Sequence, residues 1–259
     1  NYIQNNIYDG NPIDNEIIDL GFWPGGDRDG NPFVTTQITL DVAEKLRQSI
    51  LRSYYQDVKK LKRRFTFDGV EEILSTIEKR LYKHVVRSYS KVNFSKSIFL
   101  EALLKARKII EDQHQSLFIE ELDDFINKVR IFGFHFATLD IRQDSRVHHQ
   151  AFTQIVKDLQ NIGDTTFPKN YEHLSQEEQI EILAVVKGSI DPKTLTDTIS
   201  ISTIESMYAL KEIQLRNGER GANRYIISNN QTALNVMETF AMLNLCGFEN
   251  ELPVDVIPL

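Results

Sequence analysis

The chain has 259 residues, 41% of them hydrophobic and 26% charged, with a formal net charge of -7. This is ordinary soluble globular material, long enough to bury a core as one large domain or two small ones, and its acidic balance argues against a nucleic-acid binder. No apolar run approaches the ~18 residues that cross a bilayer, no basic-then-apolar leader opens the chain, and a single cysteine, Cys246, excludes an internal disulfide and favours a reducing, cytoplasmic setting.

The first 20 residues are rich in Asn and Asp and read as a loop. Ile17, Ile18 and Leu20 to Trp23 read as a short strand running into a glycine-rich turn. Thr35 or Thr36 caps a helix whose apolar positions Ile38, Val42, Leu46, Ile50, Tyr54, Val58 and Leu61 step by three or four. A second helix is predicted near 69–88, a third from Ser95 to about Asp112, and a fourth from about Ser116 to Arg130. The stretch 133–141 reads as a strand, followed at once by a helix near 145–161 with Val147, Phe152, Ile155 and Leu159 inward. Residues 162–174 form a loop. Ser175 and Glu178 spell a capping box for a helix to about Lys187. A further helix covers about 196–216 and stops at Asn217-Gly218. Arg224 to Ser228 is a β-type run, Thr232 to Cys246 a helix and Val254 to Leu259 a final strand, so the end reads β-α-β, a parallel crossover. The expected fold is mainly α with a few parallel strands. The chain opens Asn1-Tyr2-Ile3-Gln4 without Met and stops inside an apolar run, so we expect a piece of a longer protein that forms one structural unit over 1–259.

Two segments carry chemistry. In Gly25-Gly26-Asp27-Arg28-Asp29-Gly30-Asn31-Pro32 the glycines permit positive φ and close approach to a ligand. The same residues also suit a plain tight turn ahead of the helix, with Arg28 paired to an Asp. The Asp27-x-Asp29-x-Asn31 spacing is not a calcium loop, because Pro32 stands where that loop needs Gly and Ile38 where it needs Glu. In the second segment, Leu139-Asp140-Ile141-Arg142-Gln143-Asp144-Ser145, Arg142 is expected at the C-terminal mouth of a strand. A planar fork of donors in that position commonly holds phosphate or carboxylate; a salt bridge at the top of a sheet is the plainer reading. Arg146, a helical turn on, adds to such a clamp or stays solvated.

The remaining polar residues are weaker signals. His135 reads as a satisfied core histidine. His148 and His149 point about 100° apart and cannot chelate one ion together. His84, His114 and His173 read as surface residues, and Lys59, Lys60, Lys62, Arg63 and Arg64 as a solvated helix end. Asn229-Asn230-Gln231-Thr232 lies past a strand end, suited to a ligand or to helix capping. No Ser-His-Asp set, cysteine nucleophile, zinc spacing, P-loop or dinucleotide fingerprint is present.

The run from Trp23 through Gly25-Gly26-Asp27-Arg28-Asp29-Gly30-Asn31-Pro32 to Thr35 resembles a signature of the phosphoenolpyruvate carboxylase family. Phe132-Gly133 with Leu139 to Ser145 resembles the family segment that supplies a substrate-binding Arg, and Tyr225-Ile226-Ile227-Ser228 with Thr232 and Gly247 resembles a third. The resemblance implies an incomplete piece of an α/β, TIM-like barrel with many added helices. It implies a parent enzyme, a homotetramer, that forms oxaloacetate and phosphate from phosphoenolpyruvate and bicarbonate with Mg²⁺ or Mn²⁺ and so replenishes the citric acid cycle. In that reaction bicarbonate attacks phosphorus, giving carboxyphosphate and an enolate; CO₂ released from carboxyphosphate is then captured by the enolate. By the same resemblance Arg142 contacts the phosphate, Arg28 and Asp27 shape its pocket, and the catalytic His, the catalytic Lys and the metal ligands lie outside this chain. The chain departs from the family at Thr138, where a second Arg is frequent, and at Asn229-Asn230-Gln231, where Met-Ala-Lys is frequent. The rival expectation is a non-catalytic helical module that binds a protein partner or an anionic metabolite.

Overall fold

Thr35 accepts the Ile38 N–H through its side chain and so starts α1 (Thr36–Arg64), the longest helix. A computed structural model of the chain describes residues 19–29, 31, 33–86, 94–248 and 253–259. At 29 residues α1 spans about 43 Å, long enough to serve two hydrophobic clusters. Its first half places Ala43 in one; its second half places Ile50, Leu51, Tyr54, Val58 and Leu61 in the other.

The second cluster is a helical bundle of α1 with α2 (Val70–Val86), α3 (Lys96–Gln113) and α4 (Ile119–Phe132). Phe99 is fully buried and meets Tyr54 and Phe125 with ring centroids 5.7 and 5.9 Å away. Each such buried ring contributes about 1.5–3 kcal/mol by removal from water. The basic end of α1 is paired rather than simply solvated: Lys62 meets Glu78 at 2.6 Å, and Arg64 meets Glu121. Helix α4 begins three residues later than predicted, because Gln115, Ser116 and Phe118 take left-handed backbone (φ 52°, 58° and 60°) and turn the chain. His84, expected at the surface, is buried and stacks on Phe94 at 5.3 Å.

The predicted strand over 133–141 is corrected in both length and position. Gly133 and Phe136 have positive φ (48° and 66°), which breaks an extended run, and Phe134 and His135 bury in the turn they make. The ladder residues are β2 (Thr138–Leu139) and β3 (Ile141–Asp144). β1 (Gly21–Phe22) pairs parallel with β2. Beyond it the chain stays alongside: Arg142 N–H donates to the Gly26 carbonyl at 2.9 Å, and Arg28 N–H to the Arg142 carbonyl at 2.9 Å. β3 pairs parallel with β4 (Arg224–Ser228), and β4 with β5 (Asp255–Pro258). β1 and β2 thus form a two-stranded sheet and β3, β4 and β5 a three-stranded one, all parallel, with β2 running end to end into β3 through Asp140.

Helices α5 (Ser145–Asn161), α6 (Gln176–Val185) and α7 (Thr198–Asn217) connect β3 to β4, and α8 (Ala233–Leu245) connects β4 to β5. They start and stop where local chemistry directs: Asp144, Ser175, Asp197 and Thr232 cap the four N-termini, with capping boxes at Ser175 and Thr232, and Gly218 at φ 90° ends α7. The sheet has two unlike faces, as its two-residue period demands. Leu139, Ile141 and Tyr225 bury against the helices. Arg142, Arg224, Ile226 and Ile257 stand on the other face, half-buried, together with the buried Asp140. Among the described residues no helix is long and apolar enough to cross a membrane.

Candidate functional site

The glycine-rich turn is shaped by close approach. Gly26 and Asp27 donate their N–H groups to the Trp23 carbonyl at 2.9 and 3.2 Å, and Thr39 Oγ1 of α1 donates to the Gly25 carbonyl at 2.6 Å. Gly25 has φ 86°. At Gly26 a Cβ would lie 2.0 Å from the Asp140 carbonyl oxygen, so the two backbones meet in a way only glycine allows. Past the turn Asp27 is in parallel register with Arg142.

Arg142 is half-buried on the open face of the sheet. Its position differs from the expected strand mouth: it is the second residue of β3, two short of the end, because the ladder extends to Asp144. Its Nε donates to Asp29 Oδ2 at 3.0 Å and lies 4.0 Å from Asp27 Oδ1, and its guanidinium carbon is 6.0 Å from the centre of the Trp23 ring. The two predicted segments therefore come together, with one cation held by two carboxylates and an indole. Among the described residues the terminal nitrogens of Arg142 donate to no protein group. Asp27 Oδ1 is buried and accepts no hydrogen bond from any described residue. Arg146 is not part of this cluster: it is exposed and grips Asp144 with Nε and Nη2 at 2.9 and 2.7 Å.

Arg28 follows the alternation of an extended chain and faces the helices, away from the Arg142 side chain. Its Nη1 donates to the Ser202 carbonyl of α7 at 3.0 Å and its Nη2 to the Ser202 hydroxyl. Thr138 is fully buried, with Oγ1 3.5 Å from Asp19; the guanidinium beside Asp140 comes instead from Arg224, at 2.7 Å. Burial raises the Asp140 carboxyl pKa, while Arg224 and the Trp23 side chain pull it down.

The Asn229–Gln231 loop lies beside the start of α5. Ser145 Oγ donates to the Asn229 carbonyl at 2.6 Å, and Asn229 has φ 53°. A cleft of ≈ 450 Å³ lies here, lined by Ser145, Arg146, His149, Gln231, Thr232 and Asn235 among others. Sequence reasoning did not find the buried carboxylate Glu238, which meets His149 Nδ1 at 2.7 Å. It also missed Ser202 and Thr39 as supports of the turn, since no local signal marks a contact made across the fold.

Behind the sheet His148, not Val147, takes the inward position on α5. It is fully buried, with Nε2 3.1 Å from the Tyr225 hydroxyl and Nδ1 3.2 Å from Thr239 Oγ1. Burial first, and the charge of Arg28 second, push its pKa down to about 3. The unfolded chain takes up that proton near the ordinary histidine pKa, and the folded chain only near pH 3. Stability is therefore complete above the ordinary histidine range and is lost as pH falls from there toward about 3. We expect urea midpoints to drop between about pH 7 and pH 5, above the range where most carboxylates titrate, and His148→Asn to flatten most of that drop. An equal drop in the variant would refute it.

Among the described residues no three His, Cys, Asp or Glu side chains gather to hold a metal ion.

The family model for phosphoenolpyruvate carboxylase matches residues 1–95 and 70–259. A phosphoenolpyruvate carboxylase of Nitrosomonas eutropha is 28% identical over 89% of this chain and 29% of its own length. That of Nitrosomonas europaea is 27% identical over 94% and 31%, and that of Vibrio vulnificus 26% identical over 96% and 31%. The chain thus spans about three tenths of the length of these relatives. Two sequence segments that the fold joins at Arg142, and a match along the whole chain, lead to one conclusion: this chain belongs to the phosphoenolpyruvate carboxylase family.

Proposed function

We propose that the chain is the central part of an enzyme that makes oxaloacetate and inorganic phosphate from phosphoenolpyruvate and bicarbonate. The observation that carries this reading is the meeting of Arg142 with the glycine-rich turn 113 residues before it. In this reading the Nη edge of Arg142 receives the phosphoryl group and offsets the charge that builds on it as the bond to the enol oxygen breaks. Asp27 and Asp29 orient the guanidinium through its Nε side and leave that edge open. Arg28 keeps the turn in place from the opposite face.

The parallel strands in chain order, helix-covered on one face and charged on the other, are successive staves of an α/β barrel whose interior is the Arg142 face. The divalent cation of the reaction, Mg²⁺ or Mn²⁺, is held by residues outside this chain, as are the catalytic His and Lys. The chain alone is inactive; the whole enzyme is a cytoplasmic homotetramer.

Two measurements test the reading. The polypeptide extended to the length of its relatives should release oxaloacetate from phosphoenolpyruvate and bicarbonate with Mg²⁺ or Mn²⁺ present; no product would end the proposal. The isolated chain should bind phosphoenolpyruvate only in the millimolar range by titration calorimetry, because one guanidinium already paired to a carboxylate supplies few of the contacts. Micromolar binding would contradict its incompleteness.

A further inference from the structure

Arg28 is half-buried, yet among the described residues no carboxylate pairs with it. A guanidinium taken partly out of water without a counter-charge is costly unless strong hydrogen bonds compensate. Among the described residues its two side-chain hydrogen bonds go to one residue, Ser202, through the carbonyl and the hydroxyl, across 174 positions of sequence. Arg28 also sits between Asp27 and Asp29, and its own N–H is held by the Arg142 carbonyl at 2.9 Å. Neighbouring residues of an extended chain point to opposite faces. Drawing Arg28 toward α7 therefore turns the two carboxylates toward Arg142.

We infer that Ser202 is a positioning residue: it seats Arg28, fixes the glycine-rich turn against β3, and so sets where Asp27 and Asp29 hold the Arg142 guanidinium. The inference rests on the reading of Arg142 as the anion-binding group, but it concerns a residue on the far face that touches no substrate. Packing alone does not need this contact, since Ser202 is half-buried and the turn is also tied to α1 through Thr39. What Ser202 adds is direction, because its two acceptors match the two-pronged guanidinium.

The test uses Trp23, the only tryptophan, whose ring lies 6.0 Å from the Arg142 guanidinium. Emission and acrylamide quenching of Trp23 are compared in the wild type, Ser202→Ala and Ser202→Thr, without ligand and during titration with millimolar phosphoenolpyruvate. Ser202→Ala should shift the ligand-free emission and weaken phosphoenolpyruvate binding about tenfold. Ser202→Thr, which keeps the hydroxyl, should restore both, and helix content by circular dichroism should be equal in all three. Wild-type emission and quenching in Ser202→Ala would overturn the inference. A wild type whose Trp23 ignores phosphoenolpyruvate, alongside a shifted Ser202→Ala, would fail the anion reading while upholding the positioning. If Ser202→Ala does not fold, Arg28→Lys makes the same comparison, since it keeps the charge and loses the fork; unchanged Trp23 emission there overturns the inference equally.

Discussion

Gly26→Ala is expected to lower the stability of the chain by about 2–4 kcal/mol and to lift the glycine-rich turn off β3. The added methyl would lie 2.0 Å from the Asp140 carbonyl oxygen and 2.9 Å from its carbon. Both are backbone atoms of the link between β2 and β3, which the Asp140 N–H ties to the Phe22 carbonyl at 3.0 Å, so no side-chain rotation relieves the clash. The turn must move, and its movement breaks the two hydrogen bonds that tie Gly26 and Arg28 to Arg142. Gly163→Ala is the fitting comparison. It sits at φ 81° with nothing within 4 Å, so it carries only the left-handed strain of about 1–2 kcal/mol. Urea unfolding of the two variants should separate steric from conformational cost, and Trp23 emission should change in Gly26→Ala alone. Equal losses, with Trp23 unmoved, would show that the close approach at Gly26 does not hold the site together.

Arg142→Gln in the polypeptide extended to the relatives' length should cut kcat/KM for phosphoenolpyruvate by about 100-fold or more, the scale of losing a preorganised donor to a developing negative charge. Glutamine keeps a hydrogen-bonding head on a shorter side chain and loses the charge and the fork. The loss should fall on both kcat and KM, because the phosphoryl group is bound in the ground state and gains charge in transit. Arg142→Lys should lie between, since a point charge replaces a bidentate donor. The variant also leaves Asp27 and Asp29 facing each other without their shared cation, so a moderate loss of stability is expected beside the kinetic one. Wild-type kcat/KM in Arg142→Gln would remove the residue from the site.

Much of the secondary structure was legible because its signals are local. The caps at Thr35, Ser95, Ser175 and Thr232, the stop at Gly218, and the apolar stripe of α1 each act within one or two turns. The failures have physical causes of the same scale. Residues 133–141 look like a strand because they are apolar. Left-handed backbone at Gly133 and Phe136 is demanded by the route into the sheet, which composition does not report. His84 looked like a surface residue because a polar side chain was weighed alone, whereas Phe94 stacks on it and covers it. Ile17 and Ile18, read as part of a first strand, lie outside the described residues.

By itself the sequence determined the helices and most of their ends, the parallel run of the last strands, the family, and the two segments that carry the candidate chemistry. Only the tertiary structure decided that Arg142 is gripped by Asp29, that Arg28 turns to Ser202 on the opposite face, and that Arg224 stands beside Asp140 where Thr138 offers no charge. The physical reason is range. A cap or a stripe is settled by residues a few places apart, whereas these contacts join positions 84 to 174 apart, and their geometry exists only once the strands have paired and fixed which face each side chain takes.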